Sequence, residues 1–129
     1  MKKKTLVVWQ DGRPDLERMA LYLGEKLEGL GFDAVIKMAS AVTIPEVLAA
    51  SAYLLGADEA GSTSYGELAR LLRGVNLAGR PAAFFGGNGA AIAWLREMVK
   101  DAELESASAD LVGSKPDQSA IALVLRAFA

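Results

Sequence analysis

The chain has 129 residues with 14 basic and 16 acidic side chains, a formal net charge of −2, and neither Cys nor His. Those absences exclude a thiolate nucleophile, a disulfide, a cysteine-held iron–sulfur cluster, a Cys/His zinc site and a Ser–His–Asp triad. A hydrophobic fraction of 52% against 23% charged residues fits a single globular domain, 1–129, able to bury roughly two thirds of its unfolded surface without a staple.

Lys2, Lys3 and Lys4 form the one basic cluster and read as a solubilising cap ahead of a buried strand. Near-neutral charge supplies no basic face for nucleic acid. The apolar stretch Leu6–Trp9 is too short for a signal-peptide core, and no apolar run approaches the ~18 residues of a membrane span. The cytoplasm is therefore the expected location.

Thr5 to Trp9 is a continuous apolar run, rich in β-branched residues, and predicts a strand buried on both faces. A break follows at Asp11 to Pro14. From Asp15, the apolar positions Leu16, Met19, Ala20, Leu23, Leu27 and Leu30 recur at threes and fours, the stripe of an amphipathic helix. Asp15 or Asp11 is the candidate cap, and Gly29 or Gly31 the stop. Phe32 to Met38 predicts a second strand. Thr43 caps a short helix with Pro45 and Glu46 in its first turn.

Ala52 to Leu55 predicts a third strand, closed by Gly56 and followed by a loop, Ala57 to Tyr65. A helix opens at Gly66 and Glu67 with Leu68, Leu71, Leu72 and Val75 inward. Ala82 to Phe85 is the fourth strand, and Gly86, Gly87, Asn88 and Gly89 form a turn. Ala90 to Asp101 is a helix with Ile92, Leu95, Met98 and Val99 inward. A weaker fifth strand spans Ser106 to Val112, and Asp117 to Phe128 is the last helix. Five strand–helix units with strands this apolar predict an open parallel α/β sheet with helices on both faces.

In such sheets ligands lie beyond the carboxyl ends of the strands, where the winding reverses. Three loops qualify: Gln10–Asp15, Ala57–Tyr65 and Gly86–Gly89. No metal site is expected; the alternative, from loop topology alone, is that Asp11, Asp15, Asp58 and Glu59 gather there and hold Mg²⁺. Ser62, Thr63 and Ser64 have no histidine to activate them. Trp9 and Trp94 read as packing.

These loops resemble those of the flavodoxin-like family. The segment Leu71 to Gly86 is similar to that family's run of helix, "L-x-G-K/R", strand and "F-G". Leu54 to Ala57, followed by Ser62 to Leu68, resembles its third strand and the loop that sets an aromatic against a flavin. Glu17 to Ala20 resembles the start of its first helix. The resemblance implies a three-layer sandwich with a five-stranded parallel sheet in the order 2-1-3-4-5. It also implies an FMN-binding electron carrier with a redox protein partner.

On that resemblance, Tyr65 would stack on the flavin, with Ser62, Thr63 and Ser64 beside it. Gly86, Gly87, Asn88 and Gly89 would approach the ring. The phosphate would lie in the first loop, on a pattern S/T-x-T-G-x-T that aligns with Asp11, Gly12, Arg13, Pro14, Asp15 and Leu16. None of the three hydroxyls is present, Pro14 removes a backbone N–H, and Arg13 is the one cation left. FMN binding is therefore expected to be weakened or lost.

An alternative is a non-flavin scaffold or interaction module, for which near-neutral charge argues, since it removes an acidic face that would steer a redox partner. A degenerate receiver-like signalling domain is a further alternative, resting on Lys115 and Pro116 after the fifth strand. The phospho-acceptor position of such a domain, at the end of strand three, is here Gly56.

Overall fold

A computed structural model describes residues 3–107, 110–113 and 117–128. The first half alternates as the hydrophobic pattern requires: β1 (Lys4–Trp9), α1 (Pro14–Gly29), β2 (Asp33–Met38), α2 (Ile44–Ala49) and β3 (Ala52–Gly56). The second half continues with α3 (Gly66–Arg73), β4 (Pro81–Gly86), α4 (Gly89–Val99), β5 (Glu105–Ser106), β6 (Leu111–Val112) and α5 (Gln118–Phe128). Short 3₁₀ turns at Ala39–Ala41, Thr63–Tyr65 and Lys100–Ala102 were not visible in the periodicity.

All strand pairs are parallel, in the order β2-β1-β3-β4-β5. Alternate side chains of each strand feed two separate cores. Leu6, Val8, Leu55 and Phe84 meet Val47 of α2, Leu68 and Leu72 of α3, and Ile92 and Leu95 of α4. Val7, Trp9, Leu54 and Phe85 meet Leu23 and Leu27 of α1 and Ile121 and Val124 of α5. This two-sided cover is what the unbroken apolar runs demanded.

Three expectations need correction. The fifth strand is two pieces, both on the outer edge of β4. Between them β4 advances from Ala82 to Phe85, while the outer chain advances from Ser106 to Leu111, two residues more, so one ladder cannot run through. Neither Asp11 nor Asp15 caps α1. Its N-cap is Arg13, without a side-chain hydrogen bond, because Pro14 sets the first turn. Finally, Leu71, Val75 and Met98 are only partly buried. Lys115 and Pro116 lie outside the described residues.

The short helix α2 starts as its sequence predicts. Thr43 donates its amide and its hydroxyl to Glu46 Oε1, at 2.9 and 3.0 Å, in a capping box. No described helix is long and apolar enough to cross a membrane.

Candidate functional site

Parallel pairing brings the carboxyl ends of β1, β3 and β4 side by side, so the three loops after them share one end of the sheet. Gln10, the first residue beyond β1, is buried at 5% exposure. Its Oε1 accepts the amides of Asp58 (2.8 Å) and Glu59 (3.2 Å), fastening the loop after β3 to the end of β1. The Gln10 amide itself donates to the Gly56 carbonyl at 3.0 Å. Sequence reasoning missed Gln10 as a site residue. Its signal was a lone polar side chain directly after an apolar strand.

The carboxylates of these loops are all engaged within the chain. Asp11 accepts the Ser40 amide at 3.1 Å and the Ser40 hydroxyl. Its own amide donates to Ser64 Oγ at 3.4 Å, and Ser64 Oγ lies 2.9 Å from Ser62 Oγ. Arg13 forms an ion pair with Glu59, and Arg18 one with Asp15. Asp58 Oδ1 accepts the Gly87 amide at 2.8 Å, and the Asp58 carbonyl accepts from Asn88 Nδ2 at 2.9 Å. The same Asn88 caps α4 by accepting the Ala91 amide at 2.9 Å. Ser40 was also missed, because its role depends on a contact 29 positions away in sequence.

This network bears on the Mg²⁺ alternative. Among the described residues no three acidic side chains cluster to hold a metal ion. Asp11, Asp15, Asp58 and Glu59 instead bond to four different groups.

The expected role of Tyr65 is also corrected. Its side chain is fully buried, so no ring face is open for stacking. The hydroxyl donates to the Gly56 carbonyl at 2.7 Å and accepts the Gly56 amide at 3.1 Å. Burial pushes the phenol far above the ordinary tyrosine range. The half-buried Trp94 meets it edge-on, with ring centroids 5.7 Å apart. Thr63 stays exposed at the start of the 3₁₀ turn.

The loop after β4 is closely packed. A Cβ at Gly86 would stand 2.1 Å from the Ala57 carbonyl oxygen, so the absence of a side chain there serves strand-end packing. Gly12, Pro14 and Gly89 are exposed, and open space surrounds Gly12 and Gly89. A cleft of about 170 Å³ remains beside these loops, bounded by Asp15, Leu16, Met19, Asp58, Gly87 and Asn88 among others.

No protein-family model matches the chain, and no curated protein matches it in sequence. Its structure is similar to a short-chain flavodoxin associated with a PDU bacterial microcompartment, at 13% identity and a TM-score of 0.78, with 100% of both chains covered. It is similar to oxidised flavodoxin 2 from Bacillus cereus, at 17% identity and a TM-score of 0.76, covering 96% of this chain and 94% of that one. It is also similar to a flavodoxin from Streptococcus pneumonia TIGR4, at 15% identity and a TM-score of 0.75, covering 97% and 94%. Together with the strand order, these likenesses establish a flavodoxin-like fold.

Proposed function

We propose that this flavodoxin-fold domain is related to FMN-binding electron carriers and that its own FMN binding is weakened or lost. One observation carries the reading. The donors at the carboxyl end of the sheet are taken by the chain's own carboxylates: Arg13 by Glu59, Ser40 by Asp11 and the Gly87 amide by Asp58. The flavodoxins of similar structure are what bring FMN into consideration.

The residues present do not fit a flavin phosphate. A dianion in the first loop would have to displace Glu59 from Arg13 and lie near Asp11 and Asp15. A carboxylate about 6 Å from a phosphate charge repels it by about 3 kcal/mol at an effective dielectric near 20. Each absent hydroxyl removes a charge-assisted hydrogen bond of about 1.5–3 kcal/mol. The buried Tyr65 leaves the ring without the stacking partner that the resemblance implied.

Titration with FMN and with riboflavin, followed by flavin fluorescence, tests this. The expected result is no binding, or equally weak binding of both. FMN bound ten-fold more tightly than riboflavin would overturn the reading. The variant Glu59→Gln, which frees Arg13, is expected to raise FMN affinity a few-fold and leave riboflavin unchanged.

A second reading, a non-flavin interaction module, is favoured by the exposed apolar surface of α2. Ile44 is 55% and Leu48 48% exposed on this six-residue helix. Partner capture by the intact protein, lost in Ile44→Asp and Leu48→Asp, would support it.

A further inference from the structure

A second cavity shares no lining residue with the loops just described. It opens between α2 and the amino-terminal half of β1, beside the edge strand β2, and has a volume of about 330 Å³. The six-residue α2 turns Val47 onto the sheet, while the edge strand β2 beside it stays only partly buried. Leu6 and Val35, paired across β1 and β2, form the floor. Pro45, Ala49 and Ala50 form the helix wall, and their small side chains leave the space unfilled.

The charges around this groove are unequal in availability. Glu46 lines it, but its carboxylate is occupied by the Thr43 amide and hydroxyl, with Lys37 3.5 Å away. Burial opposes its ionisation, yet these partners outweigh burial and hold the carboxyl below the usual range. Lys4 also lines the groove and makes no ion pair among the described residues. Asp33 is its register partner on β2, and the two form no ion pair. The groove thus offers an apolar lining, an acid already paired with its own lysine, and one cation with no ion pair among the described residues.

We propose that this groove binds a medium-chain aliphatic carboxylate, with its tail along Leu6 and Val35 and its head on Lys4. At about 30 Å³ for each water-sized group, the volume holds roughly ten such groups. The volume lies at the small end of ligand pockets, and an apolar lining with few polar groups is their usual composition. The occupant is the free monomeric acid, because a groove of about 330 Å³ beside one six-residue helix takes a single chain and its one carboxylate head. The inference does not depend on the flavin reading, since the groove shares no residue with the loops at the other end of the sheet.

The test is a titration of the full chain with decanoate below its micelle concentration, by calorimetry and by amide shifts in nuclear magnetic resonance. Saturable binding is expected, with shifts concentrated at Leu6, Val35, Ala49 and Ala50. Lys4→Glu should weaken decanoate at least five-fold while leaving decanol unchanged. Ala49→Trp, at an exposed position, should fill the trough and abolish binding of both. Absence of saturable binding, shifts centred on residues 10–15 and 57–65, or equal affinities in wild type and Ala49→Trp would each overturn the proposal. Co-sedimentation with anionic phospholipid vesicles, in place of binding to the free acid, would overturn the choice of ligand source.

Discussion

Gln10 carries more of the site than any residue that the loop chemistry singled out. Its one buried oxygen satisfies two amides of the loop after β3. Gln10→Ala would remove both hydrogen bonds, each worth about 0.5–1.5 kcal/mol net. Urea denaturation is expected to show a loss of about 2 kcal/mol or more, with the native circular dichroism retained. Gly86 makes the complementary point through space. Gly86→Ala sets a Cβ against the Ala57 carbonyl, where backbone must move, so a loss of about 1–3 kcal/mol is expected. Gly89→Ala, at the open start of α4, should be neutral or slightly stabilising in the same assay. The glycines of this turn were legible in the sequence, but their separate duties were not. Packing against Ala57 belongs to Gly86 alone, and that contact exists only once β3 and β4 are paired. Tyr65 shows the opposite failure. A tyrosine among loop residues reads as exposed, whereas its hydroxyl finds both the amide and the carbonyl of Gly56 and so lies buried without penalty.

Helix α2 was fully readable, because its start rests on local chemistry. Thr43, Pro45 and Glu46 lie within four residues and need no distant partner. Thr43→Ala is expected to cost about 1 kcal/mol at neutral pH. Part of that cap depends on ionised Glu46, whose folded carboxyl titrates below its ordinary value. Such a group stabilises the fold above the unfolded value of about 4.5 and ceases to do so as pH falls through the lowered folded value. The stability gap between wild type and Glu46→Ala, from thermal melts, should therefore be constant from pH 7 to about pH 5 and shrink below that. A gap independent of pH down to pH 3 would remove the ionic part of the cap. The fifth strand was read as one element because periodicity cannot reveal a mismatch in length with a partner. Its division follows from the spacing on β4, which only the pairing fixes.

The two cores share one sheet, since β1, β3 and β4 send alternate residues to each side. Neither core can dissolve without exposing the back of the other. Unfolding followed by tryptophan fluorescence, with Trp9 in one core and Trp94 against the other, should coincide with unfolding followed by far-ultraviolet circular dichroism. Two separated transitions would refute this coupling. A ligand that binds only the native state raises the melting temperature, so millimolar FMN should raise that temperature no more than equimolar riboflavin does if the loops are held by their own carboxylates. The sequence by itself determined the alternation of strands and helices and the parallel sheet with helices on both faces. It also determined that residues 11–16 of the first loop carry no hydroxyl. Those properties are written in local periodicity and residue type. The tertiary structure decided which donors meet which carboxylates, that Tyr65 turns inward, and that the edge strand β2 stays partly exposed beside the short α2. Each of these depends on contacts between separate elements, whose distances are set only when the strands pair.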